Sequence, residues 1–127
     1  SVACLVISLW ETGQLDEFLY ASGQNLRPQD TEVLERYSAL TSESHCRPHC
    51  GVCLDHCPEG LPIHDVLRHR MYFEQFGAQK EGMRLYGALD RNASACADCS
   101  APCTNTCPDG VDIPNRMRGA HELLSLT

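Results

Sequence analysis

Eight of the nine cysteines fall in two short runs, CRPHCGVCLDHC at residues 46–57 and CADCSAPCTNTC at residues 96–107, and a proline follows each run at once. Thiols packed this densely bind metal, pair as disulfides or do redox chemistry. A disulfide scaffold favours an even cysteine count and a dispersed spacing in a short exported chain. Structural zinc favours two C-x2-4-C knuckles a dozen or more residues apart, so that two turns face one ion. Neither run is built in either way, and both chemistries stand as the weaker alternatives.

The first run reads C-x3-C-x2-C-x3-C-P and the second C-x2-C-x3-C-x3-C-P. Both are close to the C-x2-C-x2-C-x3-C-P run of bacterial two-cluster ferredoxins, in which three cysteines wrap one [4Fe–4S] cubane and the fourth ligates the other cluster. The spacing therefore predicts two [4Fe–4S] clusters with exchanged ligands. One takes Cys46, Cys50, Cys53 and Cys107, and the other takes Cys96, Cys99, Cys103 and Cys57. Eight thiols complete both sites, so His45, His49 and His56, which flank the first run, are read as groups that shape hydration or pH response. The ninth cysteine, Cys4, sits in an apolar run and is expected to be a small buried hydrophobe.

The runs belong to an internal repeat. An offset of 50 residues carries Cys46 to Cys96, Cys53 to Cys103, Cys57 to Cys107, Pro58 to Pro108, Gly60 to Gly110, Ile63 to Ile113 and Arg68 to Arg118. Only Cys50 and Cys99 fall one residue out of step. The repeated unit is a cysteine loop, a C-P-[ED]-G-[LV] turn and a helix. Glycine there allows a positive φ close to the cluster, and Pro62 and Pro114 lie near the first helical turn, where a missing N–H costs nothing. Arg68 and Arg118 are expected on a solvated helix face or in ion pairs.

The positioning elements are helical. Ile63, Val66 and Leu67, then Met83, Tyr86 and Leu89, recur at helical spacing on either side of Gly77, which predicts two helices. Ile113, Met117, Ala120, His121 and Leu124 predict a third helix that closes the domain. Tyr72, Phe73, Phe76 and Tyr86 are expected in the core. Upstream, VACLVIS reads as a strand buried on both faces, and TGQLDEFLYASGQ as a helix ending near Gly23. Val33, Leu34, Tyr37 and Leu40 mark a further helix, with Asp30 as its expected N-cap. The predicted fold is mainly α: a strand-helix-helix segment over 1–40 and a helical, ferredoxin-like two-cluster domain over 41–127. A lone strand cannot satisfy its backbone, so it is expected to pair with another chain or with sequence outside these residues.

With 17 acidic and 10 basic side chains the formal charge is −7, which argues against nucleic acid and for a partner with a basic docking face. The longest apolar run is far shorter than a spanning helix and is not preceded by a basic residue. The protein is therefore expected to be soluble and not exported: cytoplasmic, or peripheral to a membrane complex.

From VACLVISLWETGQLDEFLYASGQ through CGVCLDHCPEGLPIHDVLRHRMYFEQFG to CPDGVDIPNRMRGAHELL, the whole chain resembles the C-terminal region of the ferredoxin-tailed aldo/keto reductase-like oxidoreductases. The resemblance implies that the opening strand and helix are the last β/α unit of a TIM barrel and that the cysteine runs form a dicluster tail. It carries over cluster ligation and electron transfer only, because the reductase active-site tyrosine, lysine, aspartate and histidine belong to barrel strands lacking here. Two functions are expected from this. One is a ferredoxin-like electron-transfer subunit on a larger redox complex, such as a membrane oxidoreductase or a photosynthetic reaction centre. The other is the electron-transfer tail of a reductase whose catalytic barrel is absent.

Overall fold

The computed structural model describes residues 4–47 and 49–126, and the chain divides into two compact units, Ser1–Tyr37 and Ser38–Thr127. Five α-helices and several 3-10 turns form, and no strand forms among the described residues.

In the first unit, residues 4–9 take no regular structure. The strand expected there is absent among the described residues, for the reason its composition raised: no neighbouring strand takes up its N–H and C=O groups. Val6 is 95% exposed, and Cys4 is exposed too, correcting the expectation of a buried thiol, since none of the described residues packs over this segment. Helix α1 follows at Gly13–Ala21 and ends on Gly23, whose φ of 75° only glycine adopts easily. Helix α2 runs Pro28–Thr41, opened by proline at its first position. Asp30 is not the N-cap. It lies one turn inside and reaches back, accepting the Arg27 backbone N–H at 3.0 Å and gripping the Arg27 guanidinium with both oxygens. That is the returning half of a capping box. Neither α1 nor α2 has a buried residue, and Leu19, Val33, Leu34 and Tyr37 are all exposed.

The second unit carries the core. Helices α3 (Ile63–Glu74), α4 (Gln79–Gly87) and α5 (Ile113–Leu124) occupy the three helical stretches predicted, with Gly77 at φ 65° between the first two. Helix α3 packs on α4 and α5, and α5 also packs on the 3-10 turn Ala93–Cys96 that opens the second cysteine run. The α3–α4 approach requires Gly82, because a Cβ there would stand 2.7 Å from the His69 carbonyl oxygen.

Both halves of the repeat feed a single core. Leu61 and Val111, Ile63 and Ile113, and Leu67 and Met117 are repeat mates, and all six are buried. The face predicted for α5 is the one that packs, with Ile113, Met117, Ala120 and Leu124 buried. Tyr86, 2% exposed, satisfies its hydroxyl twice: it accepts the Ala93 N–H at 3.0 Å and bonds His121 Nδ1 at 2.7 Å. One side chain thus fastens α4, α5 and the second cysteine loop. Of the aromatics expected in the core, Phe73 packs against it, whereas Phe76 is 66% exposed because α3 ends two residues earlier.

Candidate metal centre

Each cysteine loop is a series of short turns set by local backbone choices. In the first run, Cys50, Leu54 and Cys57 donate their N–H groups three residues back, with His49 at φ 60° and Gly51 at φ 85° reversing the chain. In the second, Ala101 and Asn105 take positive φ, and the Thr104 and Thr106 hydroxyls bond the carbonyls of Ala101 and Cys103. After each run the turn closes identically. The Gly60 N–H meets the Cys57 carbonyl at 3.1 Å, and the Gly110 N–H meets the Cys107 carbonyl at 3.2 Å, with φ of 58° and 75°.

These turns deliver the thiols to two cavities. Cys46, Cys50, Cys53 and Cys107 line one, and Cys57, Cys96, Cys99 and Cys103 line the other. Each cavity therefore combines three cysteines of one run with the last cysteine of the other. The remaining walls repeat as well: Pro108, Val111 and Ile113 roof the first set, and their mates Pro58, Leu61 and Ile63 roof the second. The apolar lining went unread in the sequence, although the 50-residue offset carried the signal. His45, His49 and His56 line neither cavity. His45 bonds Ser44 Oγ and, at 2.8 Å, Gln75 Oε1.

Electrostatics divides the thiols in the same way. Burial pushes Cys53 up to about 11, and the charges of Cys46, Cys50 and Cys107 add to the shift. Burial likewise pushes Cys96 up to about 11, aided by Cys57, Cys99 and Cys103. Cys46 and Cys103 are raised for the same two reasons, burial first. Arginines at repeat-matched positions ease this crowding: Arg68 favours the Cys46 thiolate, and Arg118 favours those of Cys96 and Cys103. The Arg118 Nε also donates to the Cys96 carbonyl at 3.4 Å, so this arginine braces the loop instead of lying on a solvated face. Backbone N–H groups reach two sulfurs, Leu61 to Cys57 Sγ and Ala101 to Cys99 Sγ, both at 3.4 Å.

Four thiols gather at each cavity, two in each set raised by burial and by their neighbours' charge, and in the second set two sulfurs also receive backbone N–H groups. Such donor sets are suited to a cationic core that several sulfurs share. Among the described residues, no three His, Cys, Asp or Glu side chains converge as they would around a single ion. Four sulfurs on one zinc stand only about 3.8 Å apart in a tetrahedron. A cubane accepts one thiolate on each of four irons, so its ligands ring a wider space.

No protein-family model, no curated protein and no solved structure matches this chain.

Proposed function

We propose that this chain is an electron-transfer protein with two [4Fe–4S] clusters, one held by Cys46, Cys50, Cys53 and Cys107, the other by Cys57, Cys96, Cys99 and Cys103. The observation that carries this reading is the sorting of eight thiols into two cavities, three from one run and one from the other in each. When bound, each cluster supplies a one-electron couple of low potential. The residues of the chain set the conditions for that exchange. Leu61 and Ala101 turn N–H groups toward sulfur, Arg68 and Arg118 offset negative charge, and Ile63, Ile113, Leu61 and Val111 keep water from the inner walls. The formal charge of −7 favours a partner with a basic docking face. No helix among the described residues is long and apolar enough to cross a membrane.

Anaerobically purified protein should contain about eight iron and eight acid-labile sulfide per chain, with paramagnetic signals after reduction. A natively folded preparation holding zinc and no sulfide would overturn the assignment.

A second reading is favoured by one observation. The first unit buries no helical residue and leaves apolar side chains of α1 and α2 uncovered. That suits the electron-transfer tail of an aldo/keto reductase-like oxidoreductase, in which preceding sequence covers those faces. Intact mass of the native chain separates the two: a product beginning at Ser1 supports the subunit, and a much longer one supports the tail.

A further inference from the structure

A third cavity, of about 200 Å³, opens between α3, α5 and the segment entering the first cysteine run. It is lined by Arg47, Arg68, Arg70 and Arg116, four of the ten basic residues of an acidic chain, and by a single carboxylate, Glu74. Like charges do not gather in a concavity without a counter-charge. Two of the four have one inside the protein. Arg70 grips Glu74 with two bonds of 2.9 Å and donates its third nitrogen to the Arg116 carbonyl at 3.0 Å, while Arg47 pairs with Asp109 at 2.9 Å. Arg70 is held rigidly there, since even a Cβ at Gly119 would stand 2.9 Å from its Nη1. Neither of the other two is hydrogen-bonded to a carboxylate, although the Arg116 charge helps to hold the Glu74 carboxyl below its usual range. Arg116 reaches only a backbone carbonyl, that of Glu43, at 3.4 Å, and the Arg68 guanidinium makes no hydrogen bond or ion pair among the described residues. On the same wall, His64 keeps its Nδ1 shut from solvent with no hydrogen-bond partner.

The geometry points to an oxyanion-binding site in this cavity, in which Arg68 and Arg116 take the phosphate or carboxylate group of a small ligand. Planar guanidinium forks match such groups with paired, charge-assisted hydrogen bonds. The cavity exceeds the space of one ion, so the ligand carries its anionic group on a larger body. Cys46 lies on the cavity wall, so a bound anion would sit beside the first thiol set. The site itself rests on guanidinium groups and not on what the thiols hold.

The test uses the full chain as isolated, titrated calorimetrically with inorganic phosphate and, separately, succinate, at ionic strength matched with chloride. Saturable binding of either anion is expected, and the tighter of the two identifies the group recognised. Arg68→Gln and Arg116→Gln should each weaken it by about tenfold or more, as expected for losing a charged hydrogen bond. Arg84→Gln, on the far helix α4, should not. In the unsubstituted protein, the bound anion should protect Arg68 and Arg116, but not Arg84, from phenylglyoxal modification read by peptide mass. That arm needs no variant to fold. The proposal is overturned if neither anion binds beyond the chloride control, or if protection is equal at all three arginines. Either result would mean that the arginines serve only to balance the neighbouring sulfur charge.

Discussion

The two thiol sets are built from the same repeat and differ in one inserted residue. In the first run the extra residue precedes Cys50, and in the second it follows Cys99. Cys50 consequently lies exposed on a loop tip beside exposed Val52, whereas Cys99 is half-buried and accepts the Ala101 N–H at its sulfur. The braces differ as well. The first loop is tied by an ion pair, Arg47 to Asp109, and the second by the buried Tyr86 hydroxyl and by Arg118 on the Cys96 carbonyl. A single shifted residue thus gives one set a solvent-facing thiol and leaves the other enclosed. On the electron-transfer reading, the first set is the side nearer to an outside partner.

The largest effect should come from cutting the exchange between runs. Cys57→Ala should halve the iron content to about four per chain, and the surviving signal should belong to the first set even though Cys57 lies in the first run. Cys107→Ala should do the reverse. Loss of the set in the same run as the substituted cysteine would break the comparison at its root.

Next in size is thiol reactivity in the metal-free, reduced chain at pH 8. Cys53 is buried, and its thiol, pushed up to about 11, carries little thiolate at that pH. Cys50 should therefore be alkylated at least about tenfold faster than Cys53, as read by peptide mass over time. In the second run, Cys96, also pushed up to about 11, should join the slow group. Equal rates for Cys50 and Cys53 would remove the asymmetry of the first loop.

Tyr86→Phe leaves the buried Ala93 N–H and the His121 ring without their partner. It should cost about 1–3 kcal/mol in denaturant unfolding, and metal should be lost from the second set before the first. The smallest contrast is at the paired glycines. Gly60 and Gly110 both have positive φ, but a Cβ at Gly110 would also stand 3.2 Å from the Glu43 side chain, whereas at Gly60 the nearest atom is 3.8 Å away. Alanine should cost about 1–2 kcal/mol at either site from backbone strain, with Gly110→Ala the more destabilising. The reverse order would place the tighter loop in the other repeat.

Much of this architecture is local and was legible as such. The places of α3, α4 and α5 follow from apolar spacing, from Gly77 and from the repeated turn, because helix periodicity and positive-φ glycine act within a few residues, although Leu89, read on the second helical face, lies two residues past the end of α4. The offset of 50 residues likewise predicts which side chains occupy equivalent places, and Leu61 with Val111 and Leu67 with Met117 do so. Where the reading failed, the deciding contact was distant or missing. Among the described residues the opening apolar run has no strand beside it and Cys4 lies exposed, and Phe76 lies just past a helix end that faces solvent. Asp30 differed for a local reason, because proline started the helix two residues earlier.

By itself, then, the amino-acid sequence determined the thiol count, the repeat, the helices and the turns that aim each cysteine, since all of these depend on neighbours along the chain. The exchange of Cys57 and Cys107 was already expected from the spacing; tertiary structure alone decided which arginine guanidinium makes no side-chain ion pair and which tyrosine holds the second loop. Those are matters of closure between segments dozens of residues apart, and spacing along the chain carries no measure of the distance across it.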